Sequence, residues 1–468
     1  MPVVIIVADG ARPDTFTKAF KRGIAPDILR MTREGSVHAI SSVFPSVTGP
    51  AYAPFLMGRY PGPVGLPGLR WFDRSRKVAR FPGNSRSYVG FEMKYIDSDI
   101  DPDAPTVFER VPASLAALNV IGRGLDPKRI LGRNPGFVAR TAITHFRGRA
   151  AGWLDIDDHI AKSVREKMLE ADPDFVFLAL TGIDKTSHQE GHKGAYVDRA
   201  VTIVNDFVRD IRQDAEAKGN WSDTHVWIVS DHGHSPVTHH EDLAGFVSRL
   251  GFRTIAHPFV FSARSAEVAV MVSGNAMAHI YLDLQRPERP YLPDLGRRWQ
   301  PIRDALLSRE SVDLMILPGS PRSCQIHSLT RGFAVLEWND CTISYRPATG
   351  DPLKIGMHND CSYDEAYRVT VESDYPDALV QIARLCESPR SGEIILSASR
   401  TWDFRAKYEP IPHSSSHGAL HRDHMLVPLI TNHPVGKPMR TVDVMPSALD
   451  ALGIQVPPGL DGRSFLRS

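Results

Sequence analysis

Three short apolar runs constrain the fold of this chain more than any other feature. They are Val3–Ala8, Phe175–Leu180 and His225–Ser230, and none of them alternates apolar with polar residues. Such runs are typical of strands that are covered on both faces, as in a parallel sheet flanked by helices. Between the runs, Ile156–Ala171 and Tyr196–Ala217 have the amphipathic pattern of surface helices. The sequence therefore predicts an α/β fold with a central, mostly parallel sheet sandwiched by helices.

The segment from residue 255 to 405 has a different pattern. Short strand-like and helical stretches alternate in it, and a hairpin is predicted to turn at Asn339 and Asp340. The chain has 468 residues, which is too long for one small domain. We expect residues 1–254 to form the first part of a catalytic α/β core, 255–405 an inserted α+β cap domain, and 406–468 the second part of the core. The stretch from 60 to 110 is rich in Gly, Pro and Arg and is predicted to be loop-like.

Composition excludes several classes of protein. The 55 basic and 54 acidic residues nearly cancel, so a nucleic-acid partner, which favours a large basic excess, is not expected. No apolar run approaches the roughly 20 residues that span a bilayer, and the N-terminal run indicates a strand rather than a signal peptide. We therefore expect no membrane span and a cytoplasmic location. Four cysteines are too few for a disulfide scaffold and are expected as thiols or one incidental bridge: Cys324, Cys341, Cys361 and Cys386.

Acidic and histidine residues follow the predicted strands. The carboxyl ends of parallel strands lie at one edge of a sheet, where α/β proteins place their sites. Carboxylates and imidazoles together are ligands of zinc, manganese and iron. Three aspartates and three histidines suit two divalent ions rather than one. These candidate ligands are Asp9, Asp184, His188, Asp231, His232 and His417.

A candidate nucleophile lies in the segment Phe44–Pro50. Thr48 precedes Gly49 and a predicted helix, Ala51–Met57, whose amino end favours an anion such as phosphate. Taken singly, Thr48 is explained as a helix cap and Asp9 as a turn residue. Together, and each after a strand or turn, these residues indicate a functional site.

These motifs resemble the alkaline phosphatase superfamily. Within it the pattern is most similar to type I phosphodiesterases, including nucleotide pyrophosphatase/phosphodiesterases, and phosphonoacetate hydrolases share the ligand scheme. The resemblance rests on Asp9, on Phe44–Pro50, on Asp184 with His188, on the run Ser230–His234, and on His417 between Ser416 and Gly418. It covers residues 1–255 and 405–468, where Thr441–Leu449 is similar to the closing segment of the superfamily, and it implies an alkaline-phosphatase-like fold.

The resemblance also implies roles. Asp9, Asp231 and His232 are expected to hold one metal ion together with Thr48, and Asp184, His188 and His417 the other. Zinc is expected, with manganese and iron as alternatives. His192 also follows His188 at helical spacing, but the family pattern favours His188. The remaining histidines are expected around the site, facing the substrate, or at the surface: His234, His239, His240, His413, His421 and His424.

One position departs from the family. Nucleotide phosphodiesterases carry an asparagine roughly twenty residues after the nucleophile, whereas the region Gly68–Trp71 of this chain contains none. Arg70 is either a replacement for this donor, since a guanidinium also suits phosphate, or a surface residue. We expect Arg70, with the backbone around Gly49, to contact the substrate. The departure weakens any expectation of nucleotide specificity.

The expected activity is hydrolysis of phosphodiester or pyrophosphate bonds in a small-molecule phosphate ester, through a phosphothreonyl intermediate on Thr48. The alternatives with the same site are a phosphomonoesterase, a C–P bond hydrolase and a phosphoryl transferase. A catalytically silent binding protein is disfavoured by the complete ligand set. A sulfatase is disfavoured because Thr48 stands where a cysteine or serine is required. The sequence leaves homo-oligomerisation open.

Overall fold

A seven-stranded sheet forms the centre of the protein. The computed structural model describes residues 2–74, 84–257, 265–405 and 413–466. In this part of the chain the sheet has the strand order β2-β21-β8-β1-β7-β5-β6. Its strands are β1 (Val3–Ala8), β2 (Ser36–Ser41), β5 (Ser114–Ala117), β6 (Ile130–Leu131), β7 (Phe175–Leu180), β8 (His225–Val229) and β21 (Leu426–Thr431).

The pairing confirms the central, mostly parallel sheet. β1 lies parallel to both β7 and β8, so that Val3 is in register with Phe175 and His225. β5 is parallel to β6 and β7. β21 is antiparallel to β8 and to β2, which makes it the strand that runs against the others. The carboxyl ends of β1, β7 and β8 consequently meet at one edge.

Helices cover both faces of this sheet. Val3, Ile5 and Val7 point into one hydrophobic core, with α3, α5 and α15. The alternate side chains of β1 point into a second core, with α1, α2, α7 and α9. Because both faces are buried, the strand shows no polar alternation. The helices are α1 (Pro13–Lys21), α2 (Pro26–Glu34), α3 (Ala53–Met57), α4 (Ile96–Asp99), α5 (Val107–Arg110), α6 (Pro135–Phe146), α7 (Ala150–Ala171), α8 (Gly182–Glu190), α9 (Ala195–Ala217), α10 (Leu243–Arg249), α11 (Gln300–Leu307), α12 (Tyr363–Thr370), α13 (Ala378–Cys386), α14 (Arg422–Met425) and α15 (Val444–Ala451).

A second, nine-stranded sheet is built from residues 254–398. Its strand order is β10-β11-β12-β18-β13-β14-β15-β16-β17, and most neighbours are antiparallel. The hairpin at Asn339 and Asp340 is confirmed, since β15 and β16 pair across it. The domain limits at 255 and 405 stay predictions. The strands are β10 (Thr254–Ala256), β11 (Val268–Ser273), β12 (Met277–Leu282), β13 (Val312–Ser320), β14 (Ser323–Ser328), β15 (Gly332–Trp338), β16 (Thr342–Pro347), β17 (His358–Ser362) and β18 (Ile394–Ala398).

Two small sheets complete the architecture. β3 (Arg70–Phe72) pairs with β4 (Ser85–Ser87). β9 (Ser235–His240) pairs with β19 (Thr401–Asp403) on one side and with β20 (Ser415–Ser416) on the other. This second small sheet brings the segment after β8 next to the chain that follows the nine-stranded sheet.

Short elements are where the sequence patterns were least informative. The stretch 60–110, expected to be loop-like, contains β3, β4, α4 and α5, each only three or four residues long. Elements of that length are too short to show a hydrophobic period. A buried ion pair between Arg86 and Asp99, with Nε and Oδ2 2.6 Å apart, joins two of them. All four cysteines are free.

A buried ion pair connects the start of α13, a helix that packs on the nine-stranded sheet, to the C-terminal segment. Arg440 donates from Nε to Asp377 Oδ2 at 2.7 Å and from Nη2 to Asp377 Oδ1 at 2.8 Å. Gln381, one turn along α13, donates to Asp377 Oδ2 and accepts the backbone N–H of Phe44. Both charged side chains are nearly inaccessible, with 7% of Arg440 and none of Asp377 exposed. The second sheet is therefore tied to the segment that leads into Thr48.

In the described part of the chain, no helix combines the length and apolar character needed to cross a membrane.

Candidate metal centre

A first cluster of polar side chains surrounds the Thr48 hydroxyl. Asp9 follows β1, and Asp231 and His232 follow β8, so the parallel register brings them to the same edge. Thr48 Oγ1 lies 3.1 Å from His232 Nε2 and 3.4 Å from Asp9 Oδ1. His232 Nε2 also lies 3.4 Å from Asp9 Oδ1 and 3.5 Å from Asp231 Oδ2. The four groups predicted to share one ion are thus brought together.

A second cluster is centred on Asp184. This residue and His188 lie one turn apart on α8, which begins directly after β7, so both face the same side. Three imidazole Nε2 atoms converge on Asp184 Oδ1, at 3.2 Å for His188, 2.7 Å for His234 and 3.6 Å for His417. His417 arrives from the chain after β20, which β9 holds in place. The three residues predicted for the other ion therefore meet, and His234 joins them.

The other ring nitrogens of these histidines contact oxygen atoms that face away from the cluster. His188 Nδ1 lies 2.9 Å from the carbonyl of Ser415, and His417 Nδ1 lies 3.0 Å from the carbonyl of Ser46. A carbonyl only accepts, so each Nδ1 carries the proton and each Nε2 is left as a lone-pair donor. Histidine ligands of metals are commonly oriented in this way.

The two clusters adjoin. Ligand atoms of Asp9, Asp184 and His232 lie within 4.8 Å of one another, and the rings of His232 and His417 stack with centroids 3.6 Å apart. The two groups of candidate ligands are therefore neighbours in the structure and share Asp184.

The electrostatics of the site fit bound cations. Burial, together with the carboxylates of Asp231 and Asp184, raises the pKa of Asp9 well above its ordinary range. Asp231 Oδ2 is buried and has no hydrogen-bond partner among the described residues. Three buried carboxylates in one place are costly unless positive charge compensates them. The residues present therefore fit divalent metal ions.

The histidines of the second cluster are neutral near pH 7. Burial lowers the pKa of His188 to about 4 and that of His234 to about 3, and it places the pKa of His417 well below its ordinary value. A neutral imidazole is the form that binds a metal. These three histidines therefore need not lose a proton to bind a metal at neutral pH.

Comparison with known proteins supports a metal-dependent site of this kind. The family model described as type I phosphodiesterase/nucleotide pyrophosphatase matches residues 3–319. The chain belongs to this family. It is a hydrolase of the phosphodiesterase and nucleotide pyrophosphatase type. A sequence comparison with curated proteins finds no match.

Solved structures show the same fold. Phosphonoacetate hydrolase from Sinorhizobium meliloti, in complex with phosphonoformate, has a TM-score of 0.56 and 16% identity, with 96% of this chain and 95% of that chain covered. Murine ectonucleotide pyrophosphatase/phosphodiesterase 5 has a TM-score of 0.59 and 14% identity over 98% and 96%. Its human counterpart has a TM-score of 0.58 and 12% identity over the whole of both chains. The alkaline-phosphatase-like fold class is thereby confirmed.

Two residues of this family member were missed by sequence reasoning as parts of the centre. His234 was expected only around the site, yet it lies in the Asp184 cluster. Its spacing of two from His232 could have indicated this position, because alternate residues of an extended chain point to the same side. Lys185 was not singled out, and its Nζ lies 2.7 Å from Asp184 Oδ2. Burial by itself would raise the pKa of Asp184, but Lys185 and His188 outweigh it and hold that pKa well below the ordinary value.

Other predicted residues lie outside the two clusters. His192 follows the end of α8 and is not in either cluster. Gly49 comes directly after Thr48 with a φ of 99°, a conformation that favours glycine. Arg70 lies on β3 and lines a separate cleft.

The remaining histidines are spread around the centre. His413 packs on His188, with ring centroids 4.3 Å apart, and His240 pairs with Asp403. His239 stacks on Trp402. His421 and His424 pack on each other in the interior.

Helix α8 is held at its start by Asp157 of α7. This buried carboxylate accepts the backbone N–H groups of Thr181, at 3.0 Å, and Gly182, at 2.6 Å. Burial raises the pKa of Asp157 to about 7, although these donors favour its charged form. The helix that carries Asp184 and His188 is thereby anchored beneath the centre.

Replacing Asp157 with alanine is expected to lower the free energy of unfolding by about 2–3 kcal/mol at about pH 6, because two buried N–H donors lose their carboxyl acceptor. The measurement is urea denaturation at about pH 6, below the raised pKa of this group. The loss is expected to shrink as the pH rises through about 7, because folding disfavours ionisation of this carboxyl. Asp158→Ala is the matched control, since that side chain is 51% exposed and pairs with Lys162 on the same helix. The control is expected to cost less than about 1 kcal/mol. Equal losses in the two variants would contradict an anchoring role.

Proposed function

We propose that this chain hydrolyses phosphodiester or pyrophosphate bonds of small-molecule phosphate esters, with Thr48 as nucleophile and two divalent metal ions as cofactors. The observation that carries the proposal is the position of the Thr48 hydroxyl. It lies against Asp9 and His232 and beside a second cluster of ligand-type residues. A helix cap would require no such surroundings.

The proposed metal map follows the two clusters. Asp9, Asp231, His232 and Thr48 would hold one ion, and Asp184, His188 and His417 the other. Zinc is the first choice and manganese or iron the alternatives, because an Asp/His donor set accepts all three. When bound, such ions supply Lewis-acid stabilisation of phosphoryl oxygens and lower the pKa of a coordinated hydroxyl.

The proposed reaction consists of two displacements at phosphorus, the first by the Thr48 hydroxyl and the second by water. Thr48 Oγ forms a bond to phosphorus while the bond from phosphorus to the leaving-group oxygen breaks. The threonine proton passes to solvent; the leaving group of an ester takes up a proton and departs as an alcohol, and that of a pyrophosphate departs as a phosphate. Water hydrolyses the phosphothreonyl ester in a second displacement and restores the hydroxyl. Backbone N–H groups near Thr48 and Gly49 are proposed to stabilise charge on the phosphoryl oxygens.

A phosphonate substrate is the second candidate. The Sinorhizobium meliloti structure contains phosphonoformate, and that protein is a phosphonoacetate hydrolase. This chain has Arg70 where nucleotide phosphodiesterases carry an asparagine. The departure supports a C–P bond hydrolase with the same site as the alternative, ahead of a phosphomonoesterase or a phosphoryl transferase.

The proposal also includes a cellular location and leaves the oligomeric state open. Four free cysteines are consistent with a reducing compartment and so support a cytoplasmic location. A homo-oligomer stays open.

The experiment that tests the proposal is a paired rate assay on protein loaded with zinc or manganese. Hydrolysis of bis-p-nitrophenyl phosphate is expected to exceed that of p-nitrophenyl phosphate and to be lost with a chelator. Metal analysis is expected to give two ions per chain, as two clusters imply. Dominance of the monoester would shift the assignment to a phosphatase. Turnover that resists the chelator would overturn the metal-dependent mechanism.

A further inference from the structure

Helix α6 lies almost entirely at the surface of the protein, although more than half of its residues are apolar. Phe137 alone of its twelve described residues is buried. Val138, Ile143 and Phe146 are 53%, 52% and 73% exposed, and no large apolar side chain among the described residues is more exposed than Phe146. Such a helix differs from an ordinary surface helix, whose apolar side chains face the core.

The exposed apolar residues form one continuous face of α6. They recur at helical spacing, three or four residues apart: Val138, Ala139, Ala142, Ile143 and Phe146. The opposite side packs on the protein with its threonines. Thr141 Oγ1 donates to the carbonyl of Phe137 at 3.0 Å, and Thr144 lies so close to Gly152 of α7 that a Cβ there would be 2.8 Å away. The outward apolar face therefore indicates an occupant from outside the chain.

Positive charge borders this apolar face. Residues 127–154 include six basic residues and no acidic one, whereas the two kinds nearly balance over the whole chain. Arg140, Arg147 and Arg149 are exposed, and no carboxylate in the described part of the chain forms an ion pair with them. Arg140 and Arg147 are seven residues apart, so they lie along one side of the apolar face. Apolar residues bordered by arginines are typical of a helix that lies in the headgroup region of an anionic membrane.

Other occupants fit this surface less well. Two copies of the chain joined through α6 would bring the same arginines together, which is unfavourable. Twelve residues extend over only about 18 Å, so one helix face is far smaller than the roughly 800 Å² per partner of a stable interface. Nucleic acid would neutralise the arginines but leave the apolar side chains in water. A lipid surface takes up both kinds of side chain.

The helix lies beside the candidate metal centre. The ring of His145, near the end of α6, is edge-on to Trp153 of α7, with centroids 6.4 Å apart. Lys185 Nζ lies 5.8 Å from the centre of the same indole ring and 2.7 Å from Asp184 Oδ2. A short series of side-chain contacts therefore connects α6 to a proposed metal ligand.

We propose that α6 docks this protein on membrane surfaces that contain anionic lipids. Ile143 and Phe146 enter the boundary between headgroups and acyl chains, while Arg140 and Arg147 contact lipid phosphates. Anionic lipids are abundant in cytoplasmic leaflets, which agrees with the proposed location. This docking is peripheral and reversible, because only three large apolar side chains are exposed on the face. It does not depend on the reaction at Thr48.

The test is co-sedimentation of the full chain with vesicles of phosphatidylcholine alone and of phosphatidylcholine containing about 30% phosphatidylserine. Binding is expected to be about tenfold or more tighter to the anionic vesicles and to weaken as salt is raised. Phe146→Ala is expected to lower the partition coefficient about tenfold, because the phenyl ring is no longer buried in lipid. Arg140→Gln combined with Arg147→Gln is expected to lower it about thirtyfold, roughly fivefold for each basic residue near an anionic surface.

Matched changes elsewhere on the surface provide the controls. Leu329→Ala removes a side chain that is 56% exposed in the turn between β14 and β15, and Arg33→Gln with Arg249→Gln removes two exposed charges. Both controls are expected to bind as the wild type does. Equal binding to the two vesicle compositions, or equal losses in the controls and the α6 variants, would overturn membrane docking.

Two further measurements complete the test. Circular dichroism and the urea midpoint are expected to match the wild type in every variant, because all the altered side chains are exposed. Light scattering is expected to give the same mass for the wild type and Phe146→Ala in solution. A dimer that Phe146→Ala dissociates would assign the face to an interface between copies and overturn membrane docking.

Discussion

Thr48→Ala is expected to lower kcat for phosphodiester hydrolysis by roughly 10⁴-fold or more, the scale seen when a nucleophile is removed. The hydroxyl is the atom between Asp9 and His232, and alanine leaves no oxygen to attack phosphorus. The measurement is steady-state hydrolysis of bis-p-nitrophenyl phosphate by metal-loaded protein.

Thr48→Ser is the matched control, because serine keeps the hydroxyl and loses only a methyl group. It is expected to retain most of the turnover and to form a trapped phosphoenzyme on rapid acid quench, which the alanine variant cannot form. Metal content of Thr48→Ala is expected to stay near that of the wild type, since Asp9, Asp231 and His232 remain. Turnover within a fewfold of wild type in Thr48→Ala would disprove the nucleophile assignment.

Asp377→Ala is expected to lower the free energy of unfolding by about 3–5 kcal/mol, the usual cost of removing one partner from a buried ion pair. The change takes from the buried Arg440 guanidinium its hydrogen-bonded carboxylate and leaves it Asp364, whose Oδ1 is 3.7 Å from Nη1. Gln381 also loses its acceptor. Denaturant unfolding measures the loss, which is reflected in the midpoint at unchanged slope.

A more exposed arginine on the same network provides the comparison. Arg463 is 74% exposed and pairs with Asp364, which is 20% exposed and also lies 3.7 Å from Arg440. Arg463→Ala is expected to cost less than about 1 kcal/mol. Replacing both Asp377 and Arg440 with apolar residues is expected to recover part of the stability, because no unpaired charge is then buried. If Asp377→Ala lowers the free energy of unfolding no more than Arg463→Ala does, the buried ion pair does not stabilise the fold.

Continuous apolar runs made the central sheet predictable from sequence. In β1 every residue is buried, half of them against each helical layer, and only a strand between two layers requires such a run. The two long helices were predicted from their amphipathic pattern, although α7 begins at Ala150, before the predicted start at Ile156. Parallel register then places Asp9 beside Asp231 without further information.

Contacts between distant segments were not predictable from the residues alone. His417 reaches Asp184 through the small sheet of β9, β19 and β20, in which β19 and β20 are only three and two residues long. Its role came from the family resemblance. Lys185 contacts Asp184 through side-chain geometry that no periodicity reports, and the cleft around Arg70 is formed by segments that are distant along the chain.

The hydrogen bond from Phe44 to Gln381 has a consequence for the way this protein can be divided. The backbone leading to the nucleophile obtains a partner from α13, whose own charged residue is neutralised by Arg440 from the end of the chain. Deleting the nine-stranded sheet together with α13 would therefore leave the backbone N–H of Phe44 without its acceptor. It would also leave the Arg440 guanidinium without the Asp377 carboxylate. Trimming this chain to its seven-stranded sheet would therefore remove both contacts, and exchanging outer sheets between relatives would require Gln381, Asp377 and Arg440 to be exchanged as a set, whereas position 44 needs only a backbone N–H.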